Sequence, residues 1–230
     1  IVERSLAGSG NMSVSRLRNP LDMQDEDWAR FTAAMETMNG RDIWIVDATD
    51  LTIEQIRAVA ETHKRRYPHL AMIVVDYLGL IKKPKAERND LAIAHISRNL
   101  KTMAMRLHTP TFALSQLSRA VDSRPATQRR PVMSDLRDSG SIEQDADSIM
   151  FLYRDEVYNP ESPAAGVAEI ILGKSRFSAA GAIIYQEFKN GHFLSMDQHV
   201  GKEKTRIQLE AAKPRKQPRK YSERFNTDAF

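Results

Sequence analysis

The stretch LAMIVVDYLGL, residues 70–80, contains the run that decides the fold. Its residues 70–75 are all apolar, without the alternation of a strand that faces water on one side. Such a run is typical of a central parallel strand that is buried on both faces. A helix is predicted over residues 91–107 and a second buried strand over residues 111–114. Strand, helix and strand in this order predict a right-handed βαβ unit within an α/β sheet.

The rest of the chain adds elements on both sides of this unit. Upstream, apolar spacing predicts a helix over residues 25–38, and a short apolar run predicts a strand over residues 43–46. Thr52 and Gln55 have the spacing of a capping box, which predicts the start of another helix. Downstream, residues 118–133 read as a long basic loop. Buried or alternating strands are predicted after it, over residues 148–153, 167–172, 182–188 and 192–196. We therefore predict an α/β fold in which a mainly parallel sheet, flanked by helices, is finished by antiparallel strands.

Composition narrows the class of protein. Of the 230 residues, 41% are hydrophobic and 28% are charged, which is the balance of a globular domain and excludes collagen-like, fully disordered and coiled-coil chains. The longest aliphatic run is far shorter than the roughly twenty apolar residues that span a bilayer, so we expect no membrane partner. The chain has no cysteine, which excludes disulfides, cysteine-ligated zinc and thiol catalysis.

The formal charge of +4 is unevenly distributed. Residues 202–230 hold nine Lys or Arg and four Asp or Glu, which leaves the remainder of the chain with a net charge of −1. We predict that residues 1–200 form one domain and that residues 201–230 form a basic, disordered tail. A nucleic-acid role for the domain must then depend on local patches.

Two polar side chains follow the two predicted buried strands. Asp76 comes directly after the first, and a carboxylate at this end of a parallel strand can hold Mg²⁺ beside nucleotide phosphates. Gln116 comes two residues after the second, where it can contact a γ-phosphate or the attacking water. The alternatives are a carboxylate that caps the next turn and a loop amide satisfied by backbone.

Two further groups are candidates for binding phosphates. Lys174 and Arg176 follow a predicted strand and point the same way in an extended chain, so they suit a phosphate of the same or a neighbouring subunit. The alternative is an exposed basic hairpin end. Near the basic loop, Arg137, Asp138 and Gly140 form a turn whose backbone N–H groups can hold a nucleic-acid phosphate. Its alternative is a simple loop and helix cap.

Three stretches resemble, in this order, the C-terminal motor domain of DnaB-type replicative helicases. IVVDYLGL, residues 73–80, looks like the Walker B strand of that family, and ALSQLSR, residues 113–119, looks like its phosphate-sensing strand. SDLRDSGSIEQDADSIMFLYRDEVY, residues 134–158, is a long and specific match. The resemblance covers residues 1–200 and argues against another RecA-like branch such as a recombinase.

The resemblance implies a RecA-like fold, a homo-hexameric ring, ATP and Mg²⁺ as cofactors, and translocation on single-stranded DNA. It assigns Asp76 to Mg²⁺ and Gln116 to the γ-phosphate sensor. It assigns Lys174 and Arg176 to the pair that reaches the neighbour's ATP, with Arg176 as the finger. Arg137, Asp138 and Gly140 match the DNA-contacting loop. Primase and a helicase loader are implied partners, in the cytoplasm of a bacterium or a phage-infected host.

The chain departs from the family pattern at three points. Phe177 and Ser178 stand where Asn-Gly is usual, and Asp138 stands where Glu is usual. No G-x-x-x-x-G-K-[ST] motif occurs, so we expect the phosphate-cradling loop and the catalytic glutamate upstream of residue 1, and this chain alone to be inactive. The alternative function is a non-catalytic module that binds single-stranded DNA or another helicase.

Overall fold

The computed structural model of the protein describes residues 2–84, 89–125, 128–136 and 139–211. Within these ranges, helices occupy the first part of the chain and most strands the second. The elements in chain order are α1 (Val2–Ser9), α2 (Val14–Arg18), α3 (Asp25–Asn39), α4 (Ile53–Arg66), β1 (Ile73–Val75), α5 (Asn89–Leu107), β2 (Thr111–Ala113), α6 (Ser139–Asp145), β3 (Ser148–Tyr153), β4 (Val167–Ser175), β5 (Ile183–Lys189), β6 (His192–Ser195) and α7 (Gln198–Ala211). No helix among the described residues is long and apolar enough to cross a bilayer.

The first sheet is the predicted βαβ unit. β1 is not the central strand, buried on both faces, that the sequence predicts, because Val74 is 54% exposed and β2 is its one paired strand among the described residues. β1 and β2 pair in parallel, with Ile73 opposite Thr111 and Val75 opposite Ala113, and α5 connects them. Thr52 opens α4 with the predicted capping box, since its side chain accepts from the backbone N–H of Gln55. Both helices pack on one face of the sheet. The buried residues of this core are Ile53, Ala60, Leu78, Ile81, Ile96, Leu100 and Met103.

The second sheet is antiparallel and has the strand order β3-β4-β5-β6. This confirms the antiparallel finish to the fold. β3 differs from the prediction of a strand buried on both faces, because Ile149, Phe151 and Tyr153 are buried while Met150 and Leu152 are exposed. Its alternating burial is that of a strand with one face on the core.

The strand predicted over residues 43–46 is wrong. These residues form an irregular segment without ladder hydrogen bonds, and all four are exposed. Trp44 anchors the segment to the end of α4, with its ring 4.5 Å from that of His63 and 4.3 Å from that of Tyr67. A short apolar run predicts a strand only where a neighbouring strand can pair with it, and the described residues supply none here.

The predicted disordered tail is also wrong for residues 201–211, which continue helix α7. Gly201, Thr205 and Gln208 lie on one face of this helix and are buried. A Cβ at Gly201 would lie 2.4 Å from the Cβ of Tyr185, so only glycine allows this approach to β5. The contact face is small and polar, which is why hydrophobic periodicity does not reveal it. Residues 212–230 lie outside the described residues.

A buried polar network fastens α7 to the sheet and to the basic loop. Arg130 donates to both carboxylate oxygens of Glu169 at 2.9 and 2.7 Å, and to the side-chain oxygen of Gln208 at 2.9 Å. Gln208 in turn donates to Asp155 at 3.0 Å. Burial, followed by the hydrogen bond to Asp155, raises the pKa of Tyr153 well above its ordinary value, so its hydroxyl remains a donor at neutral pH.

Replacing Arg130 with Met should destabilise the fold, because Glu169 is only 2% exposed and its carboxylate would be left buried without its ion-pair partner. We expect a loss of about 3 kcal/mol in the free energy of unfolding, measured by urea denaturation. Arg206→Met is the matched control, since Arg206 pairs with Glu203 and Glu210 at the surface. Equal denaturation midpoints for the two variants would contradict a stabilising role for the buried network.

Candidate nucleotide and nucleic-acid site

A cleft lies at the carboxyl ends of β1 and β2. Two backbone hydrogen bonds join the segments that follow the strands. Leu114 N–H donates to Val75 C=O at 3.0 Å, and Leu78 N–H donates to Leu114 C=O at 2.9 Å. The lining residues are Asp76, Tyr77, Leu114, Ser115 and Gln116, and the cleft volume is about 330 Å³. The two polar residues selected from the sequence, Asp76 and Gln116, therefore line one cleft.

The side chains of Asp76 and Gln116 are exposed to solvent. In the described part of the chain, neither makes an ion pair or a side-chain hydrogen bond, so neither the turn cap nor the satisfied loop amide is seen. Among the same residues, no group of three His, Cys, Asp or Glu could form a metal centre. A single carboxylate still fits Mg²⁺, which usually takes one or two carboxylates and fills its other positions with water and phosphate oxygens.

The chain that leaves the cleft runs directly to the candidate DNA loop. Leu117, next to Gln116, forms an antiparallel bridge with Leu136, and Ser118 N–H donates to Asp135 C=O at 2.8 Å. Leu117 also packs against the buried cluster that contains Leu136 and Phe151. Leu117 therefore connects the cleft with the segment around Leu136 through a hydrogen-bonded, packed contact.

The candidate DNA loop is described only in part. Arg137 and Asp138 lie outside the described residues. Gly140 lies in the first turn of α6, is exposed, and would meet no atom of the described residues within 4 Å if it carried a Cβ. The backbone there is open to a large ligand, but the fold itself does not require glycine at this position.

Lys174 and Arg176 lie away from the cleft, at the end of β4, and both contact α6. The Nζ of Lys174 donates to the carbonyls of Glu143 and of Ala146, the latter at 2.8 Å. The guanidinium of Arg176 donates to the carbonyl of Gln144 at 2.5 Å. The two cations therefore do lie on one side of the chain, but there they hold the C-terminal end of α6, where positive charge is favoured by the helix dipole.

The strand end that carries the two cations has an irregular pairing. The register of β3 and β4 shifts by one residue between Ile149 and Met150, so Gly173 is the extra residue of a bulge. A Cβ at Gly173 would lie 2.4 Å from the ring of Phe151, which excludes larger side chains. Beyond it, the hydroxyl of Ser175 accepts from the N–H groups of Phe177 and Ser178 at 3.1 and 3.0 Å. This turn lies where the resemblance to DnaB-type helicases predicts Asn-Gly.

Two residues of this region were not selected from the sequence. Asp147 lies between α6 and β3, and the Nζ of Lys101, on α5, contacts both of its carboxylate oxygens at 2.7 and 2.5 Å. Asp147 ends a run rich in carboxylates, EQDAD at residues 143–147. No sequence signal connects it with Lys101, which is 46 residues away along the chain.

Replacing Lys174 with Met should loosen α6, because its terminal carbonyls lose a charged donor. Since such a hydrogen bond contributes about 1.5 kcal/mol, we expect the amides of α6 to exchange roughly tenfold faster by hydrogen–deuterium exchange. Lys189→Met, which alters an exposed lysine on β5, is the control. Unchanged protection of α6 would rule out this capping role.

The comparisons with known proteins agree on one family. The model of the DnaB-like helicase C-terminal domain matches residues 1–192. Replicative DNA helicase DnaB of Buchnera aphidicola subsp. Acyrthosiphon pisum is 42% identical over 203 residues, which are 87% of this chain and 43% of that protein. DnaB of Pasteurella multocida is 44% identical over 185 residues, which are 80% of this chain and 39% of that protein. The chain thus spans about two-fifths of the length of these relatives.

Solved structures give the same result. The ATPase domain of G40P superposes with a TM-score of 0.78 at 34% identity, over 85% of this chain and 70% of that one. A DnaB-like replicative helicase, described with its interactions with primase, superposes with a TM-score of 0.79 at 34% identity, over 85% of this chain and 47% of that one. The fold is therefore RecA-like, and the chain belongs to the family of DnaB-like helicase C-terminal domains.

Proposed function

We propose that this chain is the greater part of the motor domain of a replicative DNA helicase, which hydrolyses ATP with Mg²⁺, translocates on single-stranded DNA and unwinds duplex DNA. The observation that carries the proposal is the cleft at the ends of β1 and β2, where Asp76 and Gln116 lie together in a chain of the DnaB-like family. Strand ends of an open α/β sheet are the usual place for a nucleotide.

Each residue of the cleft has a distinct task in this proposal. Asp76 would hold Mg²⁺, which supplies charge neutralisation to the phosphates when it is bound. Gln116 would contact the γ-phosphate and transmit its presence through the Leu117–Leu136 bridge to the DNA loop. Arg137, Asp138 and Gly140 would contact the DNA backbone. Because such contacts read phosphates rather than bases, binding would be independent of sequence.

The two cations at the end of β4 would act on a neighbouring subunit. Lys174 and Arg176 are not among the residues that line the cleft of their own chain, whereas a finger arginine supplied by a neighbour needs no such proximity. This arrangement requires the nucleotide to lie between subunits, which supports a homo-hexameric ring. Partners beyond the ring, in a cytoplasmic replication complex, would be primase and a helicase loader. Primase is supported by the structural relative that is described with its interactions with primase.

The remaining part of the nucleotide site would lie on polypeptide upstream of residue 1. The chain contains no G-x-x-x-x-G-K-[ST] motif, so it lacks the backbone N–H groups and the lysine that cradle the β- and γ-phosphates. The curated relatives are more than twice as long as the segment matched here, which leaves room for such a loop.

The 230-residue chain should therefore show no ATP turnover above a blank and no saturable ATP binding, because a single carboxylate cannot hold a triphosphate. Fluorescence titration with a labelled ATP, with and without Mg²⁺, measures this directly. The matched sample is the same chain extended upstream through the phosphate-binding loop. If no such loop precedes it and the chain still binds single-stranded DNA, the non-catalytic module becomes the function.

In the extended, ATP-hydrolysing polypeptide, Arg176→Ala should lower kcat by a factor of about 10³ or more, as expected for a finger arginine. The dissociation constant for ATP should change little, because a finger arginine stabilises the charge that develops in the transition state rather than the bound ground state. Arg206→Ala is the control, since it removes an exposed arginine whose ion-pair partners, Glu203 and Glu210, lie on its own helix α7. Turnover that survives in Arg176→Ala would show that the finger is another residue.

A further inference from the structure

Asp147 lies between two cations that compete for its carboxylate. Lys101 contacts both oxygens, at 2.7 and 2.5 Å, whereas Arg176 approaches one oxygen at 3.4 Å. The backbone N–H of Arg176 also donates to the Asp147 carbonyl at 2.8 Å. Arg176 is therefore held to Asp147 by its backbone, but only loosely by the end of its side chain.

The guanidinium of Arg176 is folded back onto its own chain. It donates to the carbonyl of Gln144 at 2.5 Å, at the end of α6, and its side chain is 45% exposed. An arginine that reaches a neighbour's phosphate must first leave these contacts. The strength of the contacts thus sets how often the side chain is free.

Lys101 is fixed independently of this end of β4. It belongs to α5, whose buried residues Ile96, Leu100 and Met103 lie in the first core. Ile142 of α6 packs against the same core. Because α5 and α6 are both anchored there, Lys101 is the closer and less exposed partner of Asp147, with its side chain 26% exposed against 45% for Arg176.

We propose that Asp147 is a positioning residue that keeps the Arg176 side chain withdrawn from the neighbouring subunit. Lys101 weakens this interaction by partly neutralising the Asp147 carboxylate. The proposal rests on the proposed function, in which Arg176 is the finger. Removing the carboxylate charge frees Arg176 and leaves the ammonium of Lys101 to repel it. Removing Lys101 gives Arg176 the whole carboxylate and withdraws it more firmly.

Two substitutions with opposite expected effects test the proposal in the extended, ATP-hydrolysing polypeptide. Without DNA, Asp147→Asn should raise kcat and Lys101→Met should lower it, each by about two- to fivefold, the size expected for partly exposed ion pairs. The KM for ATP should not change. Asp147→Glu, which keeps the carboxylate, should have a kcat close to that of wild type. The matched controls are Glu61→Gln and Arg106→Met, which break another ion pair of α5, 3.7 Å long.

The double variant Asp147→Asn with Arg176→Ala separates this proposal from the assignment of the finger. It should be as inactive as Arg176→Ala alone, because the carboxylate acts only through Arg176. If Arg176→Ala is fully active, the finger assignment has failed. If Arg176→Ala is inactive but Asp147→Asn and Lys101→Met both lower kcat, the two residues only support the fold and the positioning role is refuted.

A second measurement needs no turnover. In the 230-residue chain, NMR exchange of the Arg176 Nη–H protons, whose nitrogens make the contacts with Gln144 and Asp147, should be faster in Asp147→Asn and slower in Lys101→Met than in wild type. Equal rates in all three chains would overturn the proposal, even if the variants impair ATP hydrolysis.

Discussion

The parallel pairing of β1 with β2 is the constraint on which the rest of the site depends. Because parallel strands end at the same edge, the register that sets Val75 opposite Ala113 brings the residues after both strands into one cleft. The strands are only three residues long, so their register is maintained mainly by the core under α4 and α5. A shift of one residue would turn Ile73 and Val75 away from this core.

The second sheet and the segment before α6 connect the cleft with the other candidate residues. The Leu117–Leu136 bridge connects the cleft to the segment before α6, and Lys174 and Arg176 hold the far end of α6. One short helix therefore lies between the proposed DNA loop and the proposed finger. Ile142 packs this helix against the first core, between its chain connection to the loop and its tethers from β4.

How much of this could be predicted from the sequence depended on the kind of interaction. The βαβ unit follows from residues 70–75 and from the periodicity of α5, since both are hydrophobic signals. The polar residues of the cleft could be predicted because each of them follows the end of a predicted strand. The contact of Asp147 with Lys101 does not, because an ion pair between distant residues leaves no periodic trace. The failures at residues 43–46 and 201–211 have the same origin: whether a segment pairs or packs depends on its neighbours, and the α7 contact face is made of glycine and polar residues.

Helix α7 also determines where the chain can be cut. A polypeptide ended at residue 200, where composition changes, would lose the small-residue face that covers Tyr185 and the amide of Gln208 that bridges Arg130 and Asp155. The acidic groups beneath it would then be open to water on one side, and the basic loop would lose one of its tethers. The useful expression boundary for this domain therefore lies beyond Ala211, although the family match ends at residue 192.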